Sequence, residues 1–184
     1  MTLTGLYVPL ITPFDAAGAV AVDALTALAH RVLDAGATGV VALGTTAEPA
    51  ALSNLERRAV LDVLAGVCRD RTAPLLVGAN TAPALAALRN RPEVRAALSV
   101  VPAFSRPGEA GVLAHFRQLA GASPVPIVVY HVPYRTGQSL SAGALRRLAA
   151  IPGVAGVKHA VGGIDDDTVA FLADVPAGFA VLAG

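Results

Sequence analysis

Seven short apolar runs recur along the chain, at Leu6–Phe14, Gly39–Gly44, Pro74–Asn80, Ala97–Ala103, Pro126–Val132, Gly153–Ala160 and Gly178–Gly184. Each is rich in Val, Leu or Ile, and none alternates cleanly with polar residues. Such runs fit strands buried on both faces, as in parallel sheets. Helical patterns lie between them. Residues 23–35 place Leu25, Leu28, Ala29, Val32 and Leu33 on one face and stop at Gly36. Residues 53–69 open with Ser53 and carry Glu56 three positions on, a capping-box pattern. Residues 109–122, 141–150 and 165–174 are also helix-like, whereas Pro83 and Pro92 confine any helix in 81–95 to its middle. The rhythm is that of βα units, which build either a doubly wound sheet or a (β/α)8 barrel. No G-x-G-x-x-G fingerprint supports the first, and seven strands in sequence favour the barrel, as one domain over residues 1–184.

Composition narrows the function classes. Hydrophobic residues make up 54% of the chain and charged ones 15%, far from the charge-rich make-up of a disordered chain. A net charge of +1 gives no field for gripping nucleic acid. The longest charge-free stretches, 72–88 and 118–134, are broken by prolines, so neither reads as a membrane span. No Lys or Arg precedes Arg31, so no signal peptide is visible, and the lone Cys68 suits a reducing cytoplasm. No metal-ligand cluster stands out.

Barrel chemistry sits at the C-terminal ends of strands. The second run ends in Gly44-Thr45-Thr46-Ala47-Glu48, which reads as a turn with a helix cap or as a cradle of hydroxyls and N–H groups for a carboxylate. The fifth ends in Tyr130-His131-Val132-Pro133-Tyr134-Arg135-Thr136-Gly137. Tyr130 is a core tyrosine or a proton carrier, and Arg135 a solvated loop residue or a bidentate carboxylate ligand. The sixth holds Lys158, the only lysine among 14 basic residues. A lysine inside an apolar strand either snorkels to solvent or keeps a neutral, nucleophilic amine able to form a Schiff base with a ketone. His159 faces away from Lys158, toward the helices, and reads as structural; His30 and His115 lie in helical patterns.

Gly44–Glu48, Tyr130–Gly137 and Gly156-Val157-Lys158, in this order and on these strands, resemble the G-T-T-G-E, Y-N-x-P-x-R-T-G and G-x-K motifs of the dihydrodipicolinate synthase / N-acetylneuraminate lyase family. Val8–Phe14 resembles its first strand. The resemblance implies a class I aldolase or lyase on a (β/α)8 barrel, acting on pyruvate or related 2-oxo acids. Lys158 would carry the imine, with no separate cofactor. Thr46 would hold the 2-oxo acid carboxylate. Tyr130 would shuttle protons, with Thr45 as the next link. Arg135 would bind the carboxylate of an aldehyde substrate, which points to the synthase branch. The family commonly forms dimers and tetramers, so a cytoplasmic homo-oligomer is expected.

Three features depart from the family pattern. Phe104 stands where the synthases carry a tyrosine that completes the relay across a subunit contact. Ala47 replaces a glycine, which matters only if position 47 needs a positive φ. The seventh run ends at Gly184, so the chain reads as a barrel truncated after its seventh strand. The second substrate is therefore aspartate semialdehyde or another aldehyde, and the other reading is an inactive, truncated relative.

Overall fold

A computed structural model describes residues 3–184. Its strands are β1 (Tyr7–Pro9), β2 (Gly39–Ala42), β3 (Leu75–Gly78), β4 (Val94–Val100), β5 (Ile127–His131), β6 (Val154–His159) and β7 (Ala180–Ala183). They form one sheet in the order of the sequence, and the registers of β1 with β2, β2 with β3, β5 with β6 and β6 with β7 are parallel. Helices α1 (Val22–Asp34), α2 (Asn54–Asp70), α3 (Ala82–Ala86), α4 (Gly108–Ala122), α5 (Pro133–Thr136), α6 (Ala142–Ala149) and α7 (Asp166–Leu172) alternate with them. This is the topology of a (β/α)8 barrel carried through its seventh strand. Among the described residues, no helix is long and apolar enough to cross a membrane.

Residue contacts divide the chain into two compact units. One is Gly5–Ala79 with Leu88–Ala97. Its core is the wholly buried β2, packed with Leu25 and Ala29 of α1 and Val60, Leu61 and Leu64 of α2. The capping box opens α2 as the sequence predicts. Glu56 N–H donates to the Ser53 hydroxyl at 3.3 Å, and Ser53 N–H donates to Glu56 Oε2 at 2.7 Å. The other unit is built mainly from Asn80–Ala87 and Leu98–Gly184. There Ile127, Val128 and Val129 of β5 are completely buried, with Phe116, Leu145, Leu148 and Phe171 from α4, α6 and α7.

Several boundaries differ from the sequence reading. β1 takes only Tyr7–Pro9 of the Leu6–Phe14 run. α3 occupies Ala82–Ala86, at the front of 81–95 rather than its middle, because Pro83 sits in its first turn, where its missing N–H costs nothing. β4 begins at Val94, not Ala97, because its upstream half carries charge that hides the strand. Arg95 points to solvent, and the buried Glu93 beside it is paired with Arg69 at 2.5 Å. Its far end stops short of Pro102, which cannot donate to a ladder. The stretch expected as a loop after β5 contains the helical turn α5, started by Pro133 at its first position and ended by Gly137 at φ 68°.

Candidate active site

β5 and β6 place two of the expected residues side by side. Tyr130 pairs with Lys158 across the ladder, and the Lys158 Nζ stands 4.5 Å from the centroid of the Tyr130 ring. Lys158 is half-buried and Tyr130 is buried. Burial pulls the Lys158 amine below its ordinary pKa; Tyr134 opposes this, and the Arg135 guanidinium adds to it. Burial raises the Tyr130 phenol, Tyr134 adds to the rise, and Arg135 works against it. The surroundings thus shift the amine toward its neutral form, next to a phenol shifted toward holding its proton.

Arg135 lies in α5, not in an irregular loop, and is exposed. Its Nε donates to the Tyr134 hydroxyl at 3.2 Å, and its guanidinium carbon stands 5.5 Å from the centre of the Tyr134 ring. Tyr134 was not singled out by the sequence reading. It sits at the variable x of the proline motif, which gives it no role; its contacts with Arg135 and its influence on Lys158 and Tyr130 emerge only in the fold.

Thr45 and Thr46 belong to the other unit. They open a 3-10 turn, Thr45–Ala47, directly after β2, and both are exposed. Leu43 at φ 53° and Glu48 at φ 51° bracket the turn in the left-handed region. Ala47 is not among the positive-φ residues, so alanine is unstrained there. It is buried, and its carbonyl accepts a 2.9 Å bond from the Thr12 hydroxyl. Gly78 of β3 is required beside this loop, because any Cβ there would collide with the Leu43 carbonyl. The N–H groups of Thr45 and Thr46 precede the first bond of the turn, Ala47 N–H to the Gly44 carbonyl. With two hydroxyls they form a donor set suited to a carboxylate.

Phe104 is fully exposed, with φ 59°, and Arg106 nearby has φ 41°. His159 does face the helices: its Nε2 lies 2.9 Å from the Thr168 hydroxyl of α7. Among the described residues, no group of three or more His, Cys, Asp or Glu could hold a metal ion.

The fold and this site define a chain of successive βα units that sets one lysine against a tyrosine at the ends of adjacent strands. The dihydrodipicolinate synthetase family model matches residues 2–184, and the chain belongs to that family. It is 38% identical over 196 residues to 4-hydroxy-tetrahydrodipicolinate synthase of Stenotrophomonas maltophilia, covering 100% of this chain and 63% of the relative. It is 36% identical over 187 residues to the enzyme of that name from Neisseria meningitidis serogroup B, covering 99% and 64%. The chloride-inhibited dihydrodipicolinate synthase of Acinetobacter baumannii, solved with pyruvate, superimposes with a TM-score of 0.91 at 30% identity, covering 100% of this chain and 64% of that one. A monomeric dihydrodipicolinate synthase variant superimposes with a TM-score of 0.90 at 26% identity, covering 99% and 63%. The chain therefore spans less than two thirds of the length of these relatives.

Proposed function

We propose that the chain carries the Schiff-base site of a dihydrodipicolinate synthase-like lyase, which joins pyruvate to an aldehyde. The observation that carries this reading is the half-buried Lys158 amine against the Tyr130 ring. The neutral amine adds to the C2 carbonyl of pyruvate, and the carbinolamine loses water to give an iminium. Loss of a C3 proton turns the iminium into an enamine, whose C3 attacks the aldehyde carbon. Tyr130 carries protons at the imine, with Thr45 as the next link. Thr46 and the N–H groups of its turn hold the pyruvate carboxylate. Arg135 takes a carboxylate on the aldehyde partner, for which aspartate semialdehyde is the leading candidate. No cofactor is needed beyond the imine itself. The names of the relatives and the pyruvate bound by one of them support this substrate class. In this reading the protein works in the cytoplasm as a homo-oligomer, a dimer or tetramer.

The test is borohydride reduction in the presence of pyruvate, followed by peptide mapping. An adduct on Lys158 supports the reading; a folded sample with no adduct there overturns it. Turnover of aspartate semialdehyde, against other aldehydes, identifies the second substrate.

A further inference from the structure

The residues that follow Tyr130 and Lys158 in the chain meet on the opposite face of the same two strands. His131 pairs with His159 in the β5–β6 register, and their Nδ1 atoms are 3.3 Å apart. His131 is 1% exposed, and its Nε2 is 3.2 Å from the backbone nitrogen of Leu140. An amide N–H can only donate, so Nε2 of His131 is the acceptor and its neutral ring holds the proton on Nδ1. His131 therefore donates to His159 Nδ1. His159 then carries its proton on Nε2 and donates to the Thr168 hydroxyl at 2.9 Å. That hydroxyl donates to Asp165 Oδ1 at 2.6 Å, which also accepts Thr168 N–H at 2.7 Å. One backbone amide thus sets both tautomers and the direction of every bond down to a carboxylate. Burial, with His159 adding to it and Asp165 opposing, brings His131 down to about 4, so its ring is neutral at neutral pH as the chain of bonds requires.

This polar link stands where the ladder most needs one. Ile127 pairs with Val154, but Val128 pairs with Gly156, so Ala155 is an extra residue in β6. Gly156 itself has no room for a side chain, because a Cβ there would lie 2.7 Å from the Ala180 carbonyl oxygen of β7. A slip of one residue past the irregularity would turn Lys158 toward the helices. The neighbouring side chains Val128, Val129, Val154 and Val157 have the same shape, so their packing discriminates weakly between registers. The histidine bond forms in one register alone.

We propose that His131 and His159 are positioning residues, whose hydrogen bond across β5 and β6 pins the register that brings the Lys158 amine to the Tyr130 ring. Its meaning for catalysis rests on the Schiff-base reading, but the location of Lys158 can be measured without substrate. Lys158 is the only lysine, so acetylation by acetic anhydride as a function of pH, mapped by peptide, reports the titration of that one amine. The groups that face it, Tyr130, Tyr134 and Arg135, are untouched by the variants used.

His131→Gln keeps an acceptor for Leu140 but loses the donor to His159. His131→Asn keeps a donor in the place of Nδ1 and loses the Leu140 bond. His159→Asn keeps the acceptor for His131 and drops Thr168. In His131→Gln the labelling midpoint is expected to rise toward the ordinary lysine value; a rise of about one unit leaves roughly tenfold less free amine, and so roughly tenfold less borohydride-trapped pyruvate, at neutral pH. Both Asn variants are expected to hold the midpoint within about 0.3 units and trapping within about twofold. An unshifted midpoint in His131→Gln overturns the proposal. So do equal shifts in His131→Gln and His131→Asn with matching near-ultraviolet circular dichroism, which would mark the ring as mere filling. Absence of a pyruvate adduct in the wild type overturns the Schiff-base reading instead, and the labelling midpoints still decide the register proposal.

Discussion

The Lys158 amine sits 4.5 Å from the centre of the Tyr130 ring, one strand over and in the same ladder pair. Two effects compete there. The ring's π face favours the ammonium by about 0.5–2 kcal/mol. Burial disfavours it, and with Arg135 pulling the same way and Tyr134 against, the amine is drawn below its ordinary pKa. The tyrosine thus has two separable parts, a ring that seats the amine and a hydroxyl that can move a proton.

Tyr130→Phe keeps the first part and removes the second. Borohydride trapping of pyruvate on Lys158 is expected to persist, while steady-state turnover falls by about 10²–10⁴-fold. Comparing adduct yield by mass spectrometry with kcat separates the two. Equal loss of both would assign the hydroxyl to imine formation itself.

Lys158→Met removes the amine proposed to form the imine while keeping a flexible apolar stem. All side-chain adduct should vanish. Because an amine is no longer held out of water, unfolding in urea should require about 0.5–2 kcal/mol more, the usual sign of a site that sacrifices stability for chemistry.

His131 makes stability depend on acidity. Its folded pKa of about 4 lies below the unfolded value, so its contribution is fully present above the unfolded pKa and is lost as pH falls toward 4. Between about pH 6.5 and 4 the unfolded chain takes up a proton that the native ring refuses, at up to about 1.4 kcal/mol per pH unit. Urea titrations across that window should show this slope in the wild type and a shallower one in His131→Asn.

Arg69 and Glu93 form a lopsided pair, with the arginine side chain 66% exposed and the carboxylate side chain 5% exposed. Burial alone would raise the Glu93 pKa, but its backbone hydrogen bond and the Arg69 and Arg91 guanidiniums outweigh it and hold the carboxyl low. Arg69→Ala strands a buried carboxylate and should cost about 1–3 kcal/mol at pH 7. With the folded pKa depressed, this cost is present above the ordinary Glu range and shrinks as pH falls below it. Denaturation of both proteins at pH 7 and pH 3 checks the difference.

The strand and helix order was legible because fully buried strands leave uninterrupted apolar runs, and α2 because Ser53 and Glu56 announce its start. Lys158 was legible because a charge inside such a run is out of place. β4 begins three residues before its apolar run, because Arg95 and Glu93 interrupt the apolar pattern there, and only the fold reveals that Arg69 neutralises one of them. Tyr134 and the histidine pair were out of reach for a related reason. His159 could be assigned to the helix side from alternation, but its partner His131 is 28 residues away, and which strands adjoin at that register is not written in either motif.

The segment between β5 and α6 leaves the strand and is stitched back to it. Leu140 N–H returns to His131, the residue before the departure, and the Thr136 hydroxyl lies 3.3 Å from the carbonyl oxygens of both Val132 and Gln138. Tyr134 and Arg135 ride at the tip of this closed excursion, beyond both fastenings. It is therefore a natural cassette. Residues 133–139 can be exchanged between relatives as one piece, provided His131 and the Leu140 amide stay in the host and the piece keeps a glycine at 137 against the Arg106 guanidinium and an acceptor at 138 for Gly108 N–H.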